Sequence, residues 1–169
     1  MNTDIDSLVV TVIVALEGRT VATAESITGG LIGATLTSVP GASKVYRGGV
    51  ISYASDLKVS LVNVSQTLLD EGGAIQAEVA LAMAKGAAAN LNADFGLAVT
   101  GVAGPDWQEG SAPGTVYVAC VERAADGTFI DSAIEELQLN PEVGDIRQNR
   151  AEIREETVAA ALELLLTFL

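Results

Sequence analysis

The chain contains no histidine. Ser-His-Asp and Cys-His nucleophilic systems are therefore impossible within one subunit, and any general base must be Lys, Asp, Glu or Tyr. Zinc sites of the usual kinds are excluded too, because a single cysteine, Cys120, cannot replace the missing imidazoles. That one thiol also rules out an internal disulfide framework. It lies in the strand-like run Gly114–Val121 and reads as a small buried apolar group rather than a nucleophile. Basic residues are scarce: nine Lys plus Arg stand against 22 Asp plus Glu, a net charge of −13 that would repel a phosphate backbone. No basic stripe is visible, so no nucleic acid partner is expected. A small anionic ligand is still allowed, since local donors and one or two Arg overcome a distant field. No apolar run approaches the roughly 20 residues of a membrane span. Met1–Asp6 is acidic and lacks the positive region of a signal peptide, so a cytoplasmic protein with no membrane partner is expected. There is no internal repeat, low-complexity tract or linker. With 49% hydrophobic residues, positions 1–169 suit a single domain.

What is present centres on Thr23-Ala-Glu-Ser-Ile-Thr-Gly-Gly30. It follows the β-type run from Thr20 and precedes Leu31–Leu36, which reads as a helix, so the stretch predicts a strand-to-helix turn at the carboxyl edge of a sheet. The helix behind such a turn offers unpaired N–H groups and a positive dipole end to an anion. Ser26 supplies a hydroxyl, Thr28 a candidate N-cap, and Gly29 and Gly30 a close approach to the backbone. On these residues alone, ordinary turn chemistry and a reactive turn are both open.

Apolar positions at helical spacing predict an amphipathic helix over 3–17, with Gly18 just beyond it. A strand at 20–25 and a helix at 28–38 follow, ending before Pro40-Gly41. Gly48–Tyr53 predicts a second strand, and Ala54–Leu61 a helix capped near Ser55 or Asp56. Residues 66–71 predict a short helix stopped by Gly72-Gly73. The Ala-rich segment 76–91 predicts a helix whose Val79, Met83, Ala87 and Leu91 stripe packs closely on the sheet. The apolar run 94–99 predicts a central strand. It leads into the second Gly-rich turn, Thr100–Pro105, and an exposed loop at 106–113 whose Trp107 is either a lid contact or an incidental surface aromatic. Strands at 114–121 and 128–139 are joined at Asp126-Gly127, a hairpin signal that adds antiparallel pairing. A last helix spans about 145–168, with Ile153, Thr157, Ala160 or Ala161, Leu164 and Phe168 on one face. Arg147, Arg150 and Arg154 on its first turns either pair with Asp145, Glu152 and Glu155 or hold an anion.

Of the three lysines, Lys44 and Lys85 read as solvated, while Lys58 follows a strand end. A lysine desolvated in a cleft can take a proton from a serine hydroxyl, so Ser26 with Lys58 is chemically sufficient for acyl transfer. Tyr53 is placed to orient that lysine or relay its proton. Spacing does not bring these groups together, and a surface lysine near a helix start is the competing reading.

Several ordered motifs resemble the C-terminal domain of the CinA family, the competence/damage-inducible proteins, and the stand-alone nicotinamide-mononucleotide deamidases that share it. They are Ala24–Gly30, Val39–Ser43, Gly48–Tyr53 with Lys58, Gly73–Ile75, Val99–Pro105, Gly114–Tyr117, and Arg150 with Ile153-Arg154, and they cover nearly the whole chain. The resemblance implies an α/β fold, a three-layer α/β/α sandwich with a mixed, mainly parallel sheet. It also implies hydrolysis of the carboxamide of nicotinamide mononucleotide to nicotinic acid mononucleotide and ammonia, with no cofactor. By motif position Ser26 corresponds to the nucleophile, Lys58 to the base and Tyr53 to their partner. Thr28, Gly29, Gly30, Thr100, Gly101 and Gly104 would line the nucleotide site, and Arg150 or Arg154 would hold the phosphate. The chain departs from the family pattern at Ala54-Ser55, where Ser-Asn is usual; at Gln76, where Ser is usual; at Ser111-Ala112-Pro113, in place of Lys-Pro-Val; and at Asn149, where Asp is usual. These departures motivate an alternative: a nucleotide-binding or interaction module of the same fold with little or no turnover. Apolar helices and a mixed sheet further suggest a homo-oligomer.

Overall fold

The computed structural model describes residues 4–140 and 145–169. Five strands form one sheet in the order β2-β1-β3-β4-β5: β1 Val21–Glu25, β2 Tyr46–Ile51, β3 Phe95–Gly101, β4 Thr115–Arg123 and β5 Phe129–Gln138. β1 pairs parallel with β2 on one side and β3 on the other, whereas β4 runs antiparallel to both β3 and β5. The sheet is mixed as expected, but its four pairings divide evenly rather than in favour of parallel. β1 and β3 are the apolar runs Val-Ala-Thr-Ala-Glu and Phe-Gly-Leu-Ala-Val-Thr-Gly, buried on both faces as central parallel strands must be.

The helices form the two outer layers. On one side α1 Ile5–Ala15, α2 Leu31–Thr37 and α6 Ile146–Leu166 enclose a cluster containing Val12, Leu16, Ile32, Leu36, Phe95, Leu97, Ile153 and Leu162. On the other, α3 Ser55–Val62, α4 Gln66–Gly72 and α5 Ala77–Asn90 enclose Val62, Val79, Met83, Ala84, Ala87 and Val121. The small residues of α5 let it lie close to its neighbours: a side chain at Gly86 would meet the Val62 carbonyl oxygen, and one at Gly96 the Ala84 carbonyl oxygen. The predicted elements are all present, with shifted ends. β2 starts at Tyr46 rather than Gly48, because Val45 already accepts the Val21 N–H at 2.8 Å. α2 begins at Leu31 rather than 28, for a reason given below. α3 begins at Ser55 behind Ala54, whose side chain cannot cap it, so neither Ser55 nor Asp56 is the cap.

The three parallel strands all end at one edge of the sheet. Ser26 follows β1, Ser52 and Tyr53 follow β2, and Val102–Pro105 follow β3, so segments distant in sequence converge there. This is the edge at which open α/β sheets bind ligands.

Candidate active site

Ser26 leaves β1 with its N–H still donating to Val99 O at 3.1 Å, which ties the start of the turn to β3. Its hydroxyl is met by Lys58 of α3: Nζ lies 3.0 Å from Ser26 Oγ. The same Nζ donates to Ser52 O at 2.7 Å and lies 3.3 Å from Tyr53 O. Lys58 is 1% exposed and among the largest fully buried side chains of the protein. Burial lowers its pKa from 10.5 to about 8, with the charge of Glu109 pulling the other way. With two backbone carbonyls accepting its protons, the neutral amine has its lone pair left for the serine hydroxyl. Cys120, in contrast, is fully buried within β4, and burial pushes its thiol up to about 12, which removes it as a nucleophile.

The other predicted site residues divide into two groups. A cavity of about 250 Å³ opens beside Ser26, lined by Ile27, Tyr53, Gly101–Gln108 and Arg150. Ser26, Tyr53, Gly101, Gly104 and Arg150 therefore share one space. The Tyr53 side chain does not reach Lys58; its hydroxyl accepts from Arg150 Nη2 at 3.0 Å and only its carbonyl faces the lysine. Arg150 Nη1 donates to Gly104 O at 2.7 Å, so α6 ties the β2 end to the β3 turn. Trp107 is 70% exposed but stands in the cavity wall, which favours the lid reading over the incidental one.

Thr28, Gly29, Gly30, Thr100 and Arg154 do not line that cavity. Thr100 is buried and its hydroxyl donates to Ala74 O at 2.8 Å. Arg154 donates to Ile27 O and Thr28 O, at 3.2 and 2.7 Å, and so braces the turn after Ser26. Among the described residues, neither Arg150 nor Arg154 makes the acidic pairings considered for them; both bond to carbonyls, and Arg150 to the tyrosine.

The amides at the start of α2 are taken by a residue to which the sequence assigned no role. Glu25, 2% exposed, points its carboxylate into the start of α2. It accepts Gly30 N and Ile32 N at 3.0 Å each, Gly33 N at 2.8 Å and the Thr28 hydroxyl at 2.7 Å. The helix N-terminus expected to receive an external anion already holds an internal one. Thr28 is not the N-cap; that position is Gly30, at φ 101°, and no side chain of its own caps the helix. An oxyanion must be met elsewhere. Among the described residues the N–H groups of Ile27, Ala103 and Gly104, all at the cavity wall, donate no hydrogen bond.

The chemistry-bearing groups in hand are a hydroxyl, a desolvated amine, free backbone donors and one guanidinium. No group of three or more His, Cys, Asp or Glu able to hold a metal occurs among the described residues. No helix among them is long and apolar enough to cross a membrane.

Comparison with known proteins places this geometry in context. Residues 3–169 match the family model described as the CinA C-terminal domain. A CinA-like protein of Synechococcus sp. is 44% identical over 165 residues, covering 96% of this chain and 37% of that protein. One from Frankia casuarinae is 42% identical over 146 residues, covering 86% and 31%. The chain thus spans about a third of the length of these curated relatives. Among solved structures, the competence/damage inducible protein CihA from Agrobacterium tumefaciens superposes with a TM-score of 0.85 at 35% identity, covering 99% of this chain and 96% of that one. A competence-damaged protein (CinA) superfamily protein from Escherichia coli gives a TM-score of 0.80 at 28% identity, covering 100% and 93%.

Proposed function

We propose, on the premise that the chain belongs to the CinA C-terminal domain family, that it is a nicotinamide-nucleotide amidohydrolase working through Ser26 and Lys58. The observation that carries this reading is the 3.0 Å contact between Ser26 Oγ and a lysine Nζ that is 1% exposed. Among the described residues no carboxylate is bonded to this buried lysine, an arrangement that costs stability and that a reactive role accounts for.

In this reading neutral Lys58 takes the Ser26 proton as Oγ attacks the carboxamide carbon of nicotinamide mononucleotide. The oxyanion forms against free amides at the cavity wall, those of Ile27, Ala103 and Gly104 being available. The C–N bond then breaks as Lys58 returns the proton to the departing nitrogen, releasing ammonia and leaving the nicotinoyl group, still bearing its ribose phosphate, esterified to Ser26. Water, deprotonated by the same amine, attacks that ester. Nicotinic acid mononucleotide leaves and the serine recovers its proton. No redox step occurs. Arg150, in the cavity wall with donors beyond the two it spends on Gly104 and Tyr53, is the phosphate-holding residue, and Arg154 is a brace.

The alternative of a silent nucleotide-binding module rests on the departures from the family pattern. None of Ala54, Ser55, Gln76, Ser111, Ala112, Pro113 or Asn149 lines the Ser26 cavity, which weighs against it. Gln76 instead holds its own turn, donating to Leu68 O and Gly73 O at 3.1 and 2.7 Å.

The test is ammonia release from nicotinamide mononucleotide by the wild type, Ser26→Ala and Lys58→Met. Turnover is expected in the wild type, with a fall of at least about 10³-fold in each variant and retained circular dichroism. Saturable binding without product in the wild type would transfer the assignment to the silent module.

A further inference from the structure

The 106–113 loop contributes Asp106, Trp107 and Gln108 to the cavity wall but none of the groups given a chemical step above. Its tip is a tight hairpin. Gln108 N donates to Ser111 O at 3.1 Å and Ser111 N to Gln108 O at 2.9 Å. Between them Glu109 sits at φ 49° and Gly110 at φ 79°, the two left-handed residues of such a turn. Glycine is at home there; a glutamate is not, and it stays only where its surroundings fix it.

The side chain supplies that fixing. Glu109 Oε2 accepts the Ala74 N–H at 2.6 Å. Any side chain at residue 73 would place its first carbon 2.5 Å from the same oxygen, so Gly73, itself at φ 74°, leaves the space the carboxylate occupies. The anchor is firm, because the Ala74 carbonyl accepts the buried Thr100 hydroxyl at 2.8 Å, tying that turn to the end of β3.

We propose that Glu109 is a positioning residue of this site: its carboxylate clips the 106–113 loop to the Gly73–Ala74 turn and so holds Trp107 and Gln108 as the outer wall of the Ser26 cavity. This extends the amidohydrolase reading and rests on it. The clip also carries charge toward the catalytic amine. Burial is what lowers the lysine's pKa, and the charge of Glu109 opposes that lowering. Bond and charge can be separated by substitution, since Glu109→Gln keeps an acceptor while removing the charge and Glu109→Ala removes both.

The experiment joins amide hydrogen exchange at Ala74 to steady-state kinetics with nicotinamide mononucleotide across pH 6–10. In Glu109→Ala, Ala74 exchange should rise about tenfold, the loss of one hydrogen bond to a charged acceptor, and KM should rise about tenfold with kcat changed far less. In Glu109→Gln, Ala74 protection should persist while the midpoint of the pH–rate profile moves below that of the wild type. The fluorescence anisotropy of Trp107, the single tryptophan, should fall in Glu109→Ala alone. Unchanged Ala74 exchange and unchanged Trp107 anisotropy in Glu109→Ala would overturn the clip, as would an unaltered KM in an active enzyme. A wild type that does not turn over the nucleotide would remove the amidohydrolase reading, and the exchange and anisotropy measurements would still decide whether the clip exists.

Discussion

Lys58 sets the terms at the residue scale. Its ammonium form is buried against two carbonyls and a hydroxyl, with no carboxylate bonded to it among the described residues. Desolvation lowers its pKa from 10.5 to about 8, which has two consequences of known sign. If the neutral amine is the base, kcat/KM for the amide should rise with pH through an apparent midpoint near 8, and a pH–rate profile reads this directly. Stability should follow the same titration. Below the folded pKa the lysine is protonated in both states and the native protein bears the full desolvation penalty. Between about 8 and 10.5 the unfolded chain binds the proton and the native chain does not, so stability rises with pH across that window. Lys58→Met should abolish this rise, and melts of both proteins at pH 7 and pH 10 measure the difference. The serine and lysine were legible as residue types, because the lack of histidine leaves few bases. Their contact was not, since a spacing of 32 residues says nothing about distance. Glu109 was hidden further still: it lies in a polar loop, and its partner is a backbone N–H rather than a recognisable side chain.

At the scale of the element, the start of α2 shows how one side chain reassigns a motif. A strand-to-helix turn rich in Ser, Thr and Gly announces an anion site, and the announcement is correct, but the anion is Glu25. Nothing in the alternation of β1 marks this glutamate as inward-facing, because every residue of the strand is buried. Its partners lie five to eight residues ahead and are main-chain amides, so no pairing of side-chain types reveals them. Three amides and the Thr28 hydroxyl depend on one carboxylate. A glutamine there could offer one carbonyl oxygen and would turn an amide N–H₂ toward other donors. Glu25→Gln should therefore destabilise the protein by on the order of 3 kcal/mol, through lost hydrogen bonds to a charged group and orphaned buried donors. Denaturant unfolding with an unchanged m-value would establish the loss as native-state. A change below about 0.5 kcal/mol, the range of ordinary surface substitutions, would show that the network relaxes around the substitution.

The whole molecule explains why the site could be read in pieces but not assembled. Periodicity and turn chemistry gave the order of helices and strands, and the resemblance gave the three layers. The expectation that Arg150 or Arg154 holds the phosphate brings the start of α6 to the edge where β1, β2 and β3 finish, but it does not say how the two arginines divide there. The helix delivers them one turn apart with different duties. Arg154 does not line the cavity and donates to the Ile27 and Thr28 carbonyls, while Arg150 stands in the cavity wall between Tyr53 and Gly104. If Arg150 holds the phosphate, its loss must weaken a substrate that carries phosphate more than one that does not. The expected result for Arg150→Ala is a fall of about 10- to 100-fold in the ratio of kcat/KM for nicotinamide mononucleotide to that for nicotinamide riboside, the range of a lost charge-assisted contact. Arg154→Ala should instead lower both substrates together, because it loosens the Ser26 turn that serves either one. The ratio separates the two roles even where both variants lose activity. An Arg150→Ala enzyme with an unaltered ratio would leave Arg150 as a strut between β2 and the β3 turn, and the phosphate would have to be sought along the backbone amides of the cavity wall.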